Sequence, residues 1–321
     1  MHILKYFVKR VLQLIPVFLT ATIAVFLMMH LSPGDPVNIL YGVDLGPEAK
    51  QTIRERYRLD DPLWVQYLHW LSNLLQGDFG EIIGIGGAES SRGVLPLILS
   101  RLPVTLQLTG MAITMVVVFA VPLGLVSATN RGTIIDNSVL VATLFGIGAP
   151  SFWLALFLIL VFSVYFNLFP TGDWVPLTEG IGANLRHALL PAIALAARYI
   201  ALTTRVFRAD LLDVKNKQYV ETARALGAPK REIVFVDMFK NAAIPTLTVV
   251  GLAIIGMISG TILIEVVFGL PGLGRFMFGT IVNQQYAAVQ GITVFFVGIF
   301  VFVNLVVDIL YAVLDPRVID E

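Results

Sequence analysis

Cysteine occurs nowhere in the 321 residues, which removes disulfides, thiolate metal sites and cysteine nucleophiles together. Charge is scarce too: Asp, Glu, Lys and Arg make up 14% of the chain, where a soluble domain carries roughly a quarter. The 22 basic and 22 acidic side chains cancel to a net charge of +0, so no overall basic field attracts nucleic acid. There is no Gly-Lys pair, hence no Gly-x-x-x-x-Gly-Lys-Ser/Thr phosphate loop, and the chain cannot itself be a P-loop ATPase. The 4 histidines, His2, His30, His69 and His187, stand at no metal-ligand spacing. No serine, histidine and carboxylate fall into a recognisable hydrolase motif. These absences argue against an enzyme and against a metal or cofactor held by this chain.

What is abundant is apolar surface. Hydrophobic residues are 57% of the chain, and the mean hydropathy is +0.82. They fall in blocks of about twenty or more, the length a helix needs to cross ~30 Å of hydrocarbon. Six spans are expected, at 11–31, 102–127, within 138–169, 188–207, 244–268 and 289–314, giving an all-α polytopic membrane protein. The first follows a basic start, Lys5, Lys9 and Arg10, and runs into His30-Leu31-Ser32-Pro33 without a small-residue cleavage site. It reads as an uncleaved anchor. The third run is too long for one straight span, and Pro150 is expected to break it, leaving a short lead-in before the membrane helix.

Basic residues orient the chain. Lys5, Lys9, Arg10, Arg131 and the cluster between Arg205 and Lys240 lie on one side; Arg186 and Arg275 are the basic residues of the short connections on the other. Both termini are therefore expected in the cytoplasm. The organisation reads as 1–31, N-terminus and first helix; 32–101, an extracytoplasmic insertion; 102–314, a five-helix core with a cytoplasmic loop at 208–243; and 315–321, a cytoplasmic tail. Helical patterning marks the insertion around 47–57 and 63–75, before a glycine-rich stretch at 84–93.

The cytoplasmic loop carries the most information. Asn216 reads as an N-cap, and Tyr219, Ala223 and Leu226 follow on one helical face at spacings of four and three. Gly227 suits a left-handed helix end, and Pro229 the first turn of a second helix. A basic amphipathic knob of this kind can lie in a partner's groove or on the membrane surface, and both readings stay open on physical grounds. Inside the spans, Arg198 is the one charge far from an end, and an intramembrane ion marks a functional site by default. It can meet a cargo carboxylate, or it can snorkel or pair with a carboxylate of a partner chain. Glu265 stands near the outer mouth, before Pro271-Gly272, as a second pathway candidate. Asn304 and Asp308, one turn apart, read as helix-packing groups.

The loop resembles the EAA signature of ABC importer permeases, with Glu221, Thr222, Ala223 and Gly227 at the matching positions. The threonine and the downstream Asn241-Ala242-Ala243-Ile244-Pro245 resemble the dipeptide, oligopeptide and nickel branch. Further matches are Ser32-Pro33-Gly34-Asp35-Pro36, Gln76-Gly77-Asp78-Phe79-Gly80, Arg101-Leu102-Pro103 opening span two, Pro150-Ser151-Phe152-Trp153, and the run from Glu265 to Gly274. The likeness covers essentially the whole chain. Two positions depart from it: Asp237 stands where relatives often carry histidine, and Arg198 where an apolar residue is expected.

The resemblance implies a six-helix type I ABC importer permease in the cytoplasmic membrane of a prokaryote. Such a chain pairs with a second homologous permease subunit. Two cytoplasmic ABC ATPase subunits, which use the ATP and Mg, dock on the coupling helices, and an extracytoplasmic solute-binding protein delivers peptide-like cargo. The coupling helix would comprise Tyr219, Glu221, Thr222, Ala223, Leu226 and Gly227. The competing class is an ion- or proton-coupled secondary transporter, whose usual mark is an intramembrane carboxylate near the midplane. Spans one to three and five lack central acids.

Overall fold

Within hydrocarbon no water is present to satisfy the backbone, so an apolar run of this length has to bond internally as a helix. The structure, a computed structural model, describes residues 2–30, 37, 46–84 and 87–314. Five helices among these residues are long and apolar enough to cross a membrane, six if one bent pair is counted as a span. The Ser32–Pro36 motif and the tail 315–321 lie outside the described residues. Contacts divide the chain into two compact units, residues 1–104 with 271–308 and residues 105–270 with 309–321.

The first unit contains α1 (His2–His30), α2 (Pro47–Tyr57), α3 (Leu63–Leu75), the start of α4 (Val94–Met115), and, in sequence beyond the second unit, two helices, Leu273–Val282 and Tyr286–Leu314. A two-stranded antiparallel hairpin, β1 (Glu81–Gly84) and β2 (Gly87–Gly93), occupies the glycine-rich stretch of the insertion. The insertion is anchored on α1. Val25 is buried with Leu74 and Val294, and the Phe26 ring lies 4.4 Å from His30, 5.5 Å from Tyr67 and 5.7 Å from Trp70 between centroids. Polar contacts at 3.0 Å between Thr22 and Tyr67 and 3.1 Å between His30 and Gln66 tie α3 to the same helix.

The Gln76-Gly77-Asp78-Phe79-Gly80 motif turns the chain out of α3. Gly77 and Gly80 adopt φ of 91° and 89°, where a side chain is strained. Asp78 accepts the Gly80 amide at 3.0 Å, and Gly80 in turn accepts the Val94 amide at 2.9 Å. Arg101, expected to open span two, instead lies two turns inside α4. Its guanidinium sits 4.2 Å from the centre of the Phe276 ring, and it donates to the Leu97 carbonyl at 3.2 Å. At the far end of the unit, Asp308 pairs with Arg10 at 3.5 Å.

The second unit is arranged around one helix. α4 continues through a π-helical stretch, Val116–Ala120, into α5 (Val121–Thr129). α6 (Ile134–Gly148) and α7 (Ser151–Leu158) follow, α7 passing into a second π-helical stretch, Ile159–Tyr165. Pro150 does break the third span: the two halves meet at 105°. The lead-in is longer than the sequence suggests, because α6 is a full 15 residues started by a Thr133 cap on the Asp136 amide. α8 (Ile181–Lys215) is a continuous helix of 35 residues. Next come α9 (Gln218–Ala225), the single turn α10 (Lys230–Glu232) with a π-helical stretch Ile233–Met238, and α11 (Phe239–Val267). The helices Leu273–Val282 and Tyr286–Leu314 of the first unit are α12 and α13.

α5, α6, α7 and α11 all pack on α8. Helices in a membrane gain little from apolar burial alone and approach closely where side chains are small. Gly124 faces Phe207, Gly146 faces Ala197 and Ala201, and Gly256 faces Tyr199, each so near that an added methyl group would collide. α11 ends in a Schellman turn: Phe268 caps it, Gly269 takes φ 68°, the Gly269 amide reaches the Val266 carbonyl at 3.2 Å, and the Leu270 amide reaches Glu265 at 2.8 Å.

One glycine of the first unit tests the packing. A Cβ at Gly291 on α13 would run into the Phe79 carbonyl, a backbone atom that cannot swing aside, whereas a Cβ at Gly279 meets nothing within 4 Å. Gly291→Ala is expected to destabilise the protein by about 1–3 kcal/mol, read as a lower thermal-unfolding midpoint in detergent. Gly279→Ala is expected to be neutral or slightly stabilising.

Candidate functional site

The loop between the fourth and fifth spans forms a keyed knob. α8 runs eight residues beyond the expected span at 188–207, so Arg208 belongs to the helix and the loop begins only at Asn216. Asn216 is therefore the C-cap of α8, and the N-cap of α9 is Lys217, whose side chain makes no capping bond. The expected Asn216 cap fails because the preceding helix uses that residue to stop: its amide bonds to Asp213 at 3.2 Å. The other end of α9 matches expectation. Leu226 is the C-cap, Gly227 takes φ 83°, and the amides of Gly227 and Ala228 bond to Arg224 and Ala223, both at 3.1 Å, in a second Schellman turn. Pro229 then accepts the amides of Glu232 at 2.9 Å and Ile233 at 3.2 Å, starting α10.

The two faces of α9 are treated differently. Val220 is fully buried in a cluster with Phe207, Leu211, Ile233 and Met238, and Ala223 and Ala228 pack at its edge. Tyr219 is 44% exposed and Leu226 82% exposed on the outer face. Glu221 and Thr222 are exposed, with the Thr222 hydroxyl folded back on the Gln218 carbonyl at 3.0 Å. A cavity of about 300 Å³ beneath the knob is lined by Ala128, Thr129, Lys215, Arg224 and Met238, among others. The side chain of Asp237 lies outside the described residues.

The two pathway candidates part company. Arg198 lies at the midpoint of α8 and is exposed, with no hydrogen bond or ion pair among the described residues. Glu265 is completely buried and accepts the Thr105 hydroxyl at 2.6 Å, so in this conformation it acts as a clamp between α4 and α11 and faces no open space.

A polar node that the sequence reading passed over joins α5, α6 and α8. Asp136, 2% exposed, takes a two-pronged bond from Arg208, Nε to Oδ1 and Nη2 to Oδ2, both at 2.8 Å. Its remaining lone pairs accept the Ser127 hydroxyl at 2.5 Å and the Gly132 amide at 2.9 Å. One signal was available: Thr133-x-x-Asp136 before an apolar run is a helix-start pattern. Nearby, Asp210 accepts the Thr246 hydroxyl at 3.2 Å; towards the start of α8, Gln107 bonds to Asn184, which also donates to the Val175 carbonyl at 2.7 Å. Among the described residues no three His, Asp or Glu side chains gather as a metal site.

Comparison with known proteins gives a consistent result. Residues 120–320 match the family described as binding-protein-dependent transport system inner membrane component. Residues 3–109 match the N-terminal region of the membrane component of such systems. The chain is similar to the oligopeptide transport system permease protein AppB of Bacillus subtilis, 37% identical over 315 residues and 98% of each chain. It is similar to the glutathione transport system permease protein GsiC of Shigella flexneri, 35% identical over 316 residues, 98% of this chain and 99% of that one. A crystal structure of an amino acid ABC transporter with histidines aligns at a TM-score of 0.47 and 21% identity, over 69% of this chain and 94% of that chain.

The node makes a quantitative prediction. Arg208→Met leaves the Asp136 carboxylate buried without its cation, which is expected to cost about 3–5 kcal/mol. Adding Asp136→Asn should recover a large part of that loss, because the two sites are in contact and their effects do not add. Thermal-inactivation midpoints of the two single variants and the double variant complete the cycle; a double variant as weak as the sum of the singles would contradict the coupling.

Proposed function

This chain belongs to the family of binding-protein-dependent transport system inner membrane components, and from that premise we propose that it is one half of the translocation pathway of an ATP-driven importer of peptides or peptide-like solutes. The observation that carries the reading is α9. A helix of 8 residues is fixed to the membrane helices through Val220 and closed by a left-handed glycine, yet it turns Tyr219 and Leu226 outward. Large apolar side chains held rigidly in the open, amid the basic residues Lys215, Lys217 and Arg224, suit a groove on a partner protein. In this reading the partner is a cytoplasmic ATPase, one of a pair, which supplies the ATP and Mg chemistry absent from this chain.

Rigid-body motion is the coupling expected of such a joint. Displacement of α9 passes through Val220 to Phe207 and Leu211 of α8, since these share one cluster. In this reading Glu221 serves docking and not catalysis, by fixing the loop through hydrogen bonds or by pairing with a basic group on the ATPase. The orientation has both termini in the cytoplasm of a prokaryote, as the basic residues around α9 favour. A second, homologous permease completes the pathway, and an extracytoplasmic solute-binding protein loads it. Peptide-like cargo is supported by relatives whose names specify oligopeptide and glutathione transport. A proton- or ion-coupled carrier would leave α9 without a use.

The test is a mild-detergent pull-down of tagged protein from its native cells. Wild type is expected to bring down a P-loop ATPase and a second six-span protein. Glu221→Arg combined with Gly227→Pro is expected to keep the second permease and lose the ATPase, because proline cannot adopt the φ of 83° found at Gly227. Wild type arriving without any ATPase would overturn the importer reading.

A further inference from the structure

α8 has three sides, and two of them are accounted for. On one flank Ala197 and Ala201 lie against Gly146 of α6; on another Tyr199 lies against Gly256 of α11. The third side is open. Arg198, Leu202, Arg205 and Ala209 are all exposed, at spacings of four, three and four, so they share one helical face. The row covers about 17 Å along the helix axis, and its two arginines are about 10 Å apart. The open face stops at Arg198: Pro191, Ala194 and Leu195, one to two turns earlier, are buried. A guanidinium thus stands at the closed end of the row, at the midpoint of a helix of 35 residues.

Neither arginine has a hydrogen bond or an ion pair among the described residues, and Asp213, at the edge of this face further along, pairs with neither. This contrasts with Arg208 on the same helix, which is fully engaged by Asp136. An unpaired ion as far inside a span as Arg198 does not face lipid tails; it faces water or protein. A guanidinium presents a planar fork of donors matched to a carboxylate, and two of them a helical repeat apart hold an anion more strongly than water-exposed charges would, because low-dielectric walls concentrate their field.

We propose that the Arg198–Leu202–Arg205–Ala209 face of α8 is a wall of the water-filled pathway and a track for anionic groups of solutes in transit, with the carboxylate of a peptide as the fitting ligand. The inference rests on the permease reading above and adds a class of ligand and a location to it.

The absence of cysteine makes the experiment clean. Leu202→Cys and Ala209→Cys each give this chain a single thiol on the face, and Leu195→Cys gives one at a buried position. The assembled transporter is purified from its native membrane and treated, with and without ATP, with two membrane-impermeant methanethiosulfonates. One carries a sulfonate, standing in for a carboxylate, and the other a trimethylammonium. Positions 202 and 209 are expected to label and 195 is not. The ratio of anionic to cationic labelling rate at 202 is expected to fall about tenfold or more when Arg198→Gln and Arg205→Gln are added. No labelling at 202 and 209 in either condition means that the face is covered by a partner or by lipid, and overturns the proposal. Labelling with a ratio that the two substitutions do not move overturns the anion track. Both substitutions are checked for an unchanged yield of co-purified subunits, since their loss would assign the arginines to pairing with the partner and equally overturn it. Failure of the permease reading shows separately, as a preparation lacking any ATPase before reagent is added.

Discussion

Close approach of helices to α8 is the constraint on which the second unit depends. Gly124, Gly146 and Gly256 each leave room for a residue of α8, and nothing larger fits without moving backbone or neighbouring rings. In lipid, where apolar burial distinguishes poorly between partners, this steric match selects which helices meet. The polar bonds then fix register. Arg208 with Asp136 sets α8 against α5 and α6, Thr246 with Asp210 sets it against α11, and Thr105 with Glu265 sets α4 against α11. Each pair lies inside its unit, so polar groups that would be costly in hydrocarbon are satisfied by one another.

Much of this was legible in the sequence for reasons tied to single residues. The six spans follow from apolar length, the break in the third from Pro150, and the end of α9 from Gly227, where only a residue free to take φ 83° closes the turn. The limits are equally specific. Apolar length marks where hydrocarbon ends and says nothing about where a helix ends: α8 goes on through Arg208, Asp210 and Asp213 because their charges find partners or solvent along it. α4 likewise begins seven residues before Arg101. A capping residue such as Asn216 serves either the helix before it or the one after, and sequence does not say which. The Asp136 node joins positions 9 and 72 residues apart, and such pairing is visible only once the helices are placed.

Of the two candidate pathway residues, only Arg198 is open. Glu265, a charge near a span end, has a hydrogen bond to Thr105 and full burial that give it a fixed structural place. Burial state, invisible in the sequence, separates a charge that holds helices together from one left open on a helix surface.

α8 also has mechanical consequences. At 1.5 Å per residue its 35 residues form a rod about 52 Å long, with no break at Pro191. One end is gripped by the cluster that holds α9, and Arg198 stands half-way along, about 26 Å from either end. A rod of that length turning by ten degrees about one end sweeps its midpoint through about 4–5 Å, close to one helical turn. A small rotation imposed at that end therefore arrives at the guanidinium as a displacement the size of a carboxylate group.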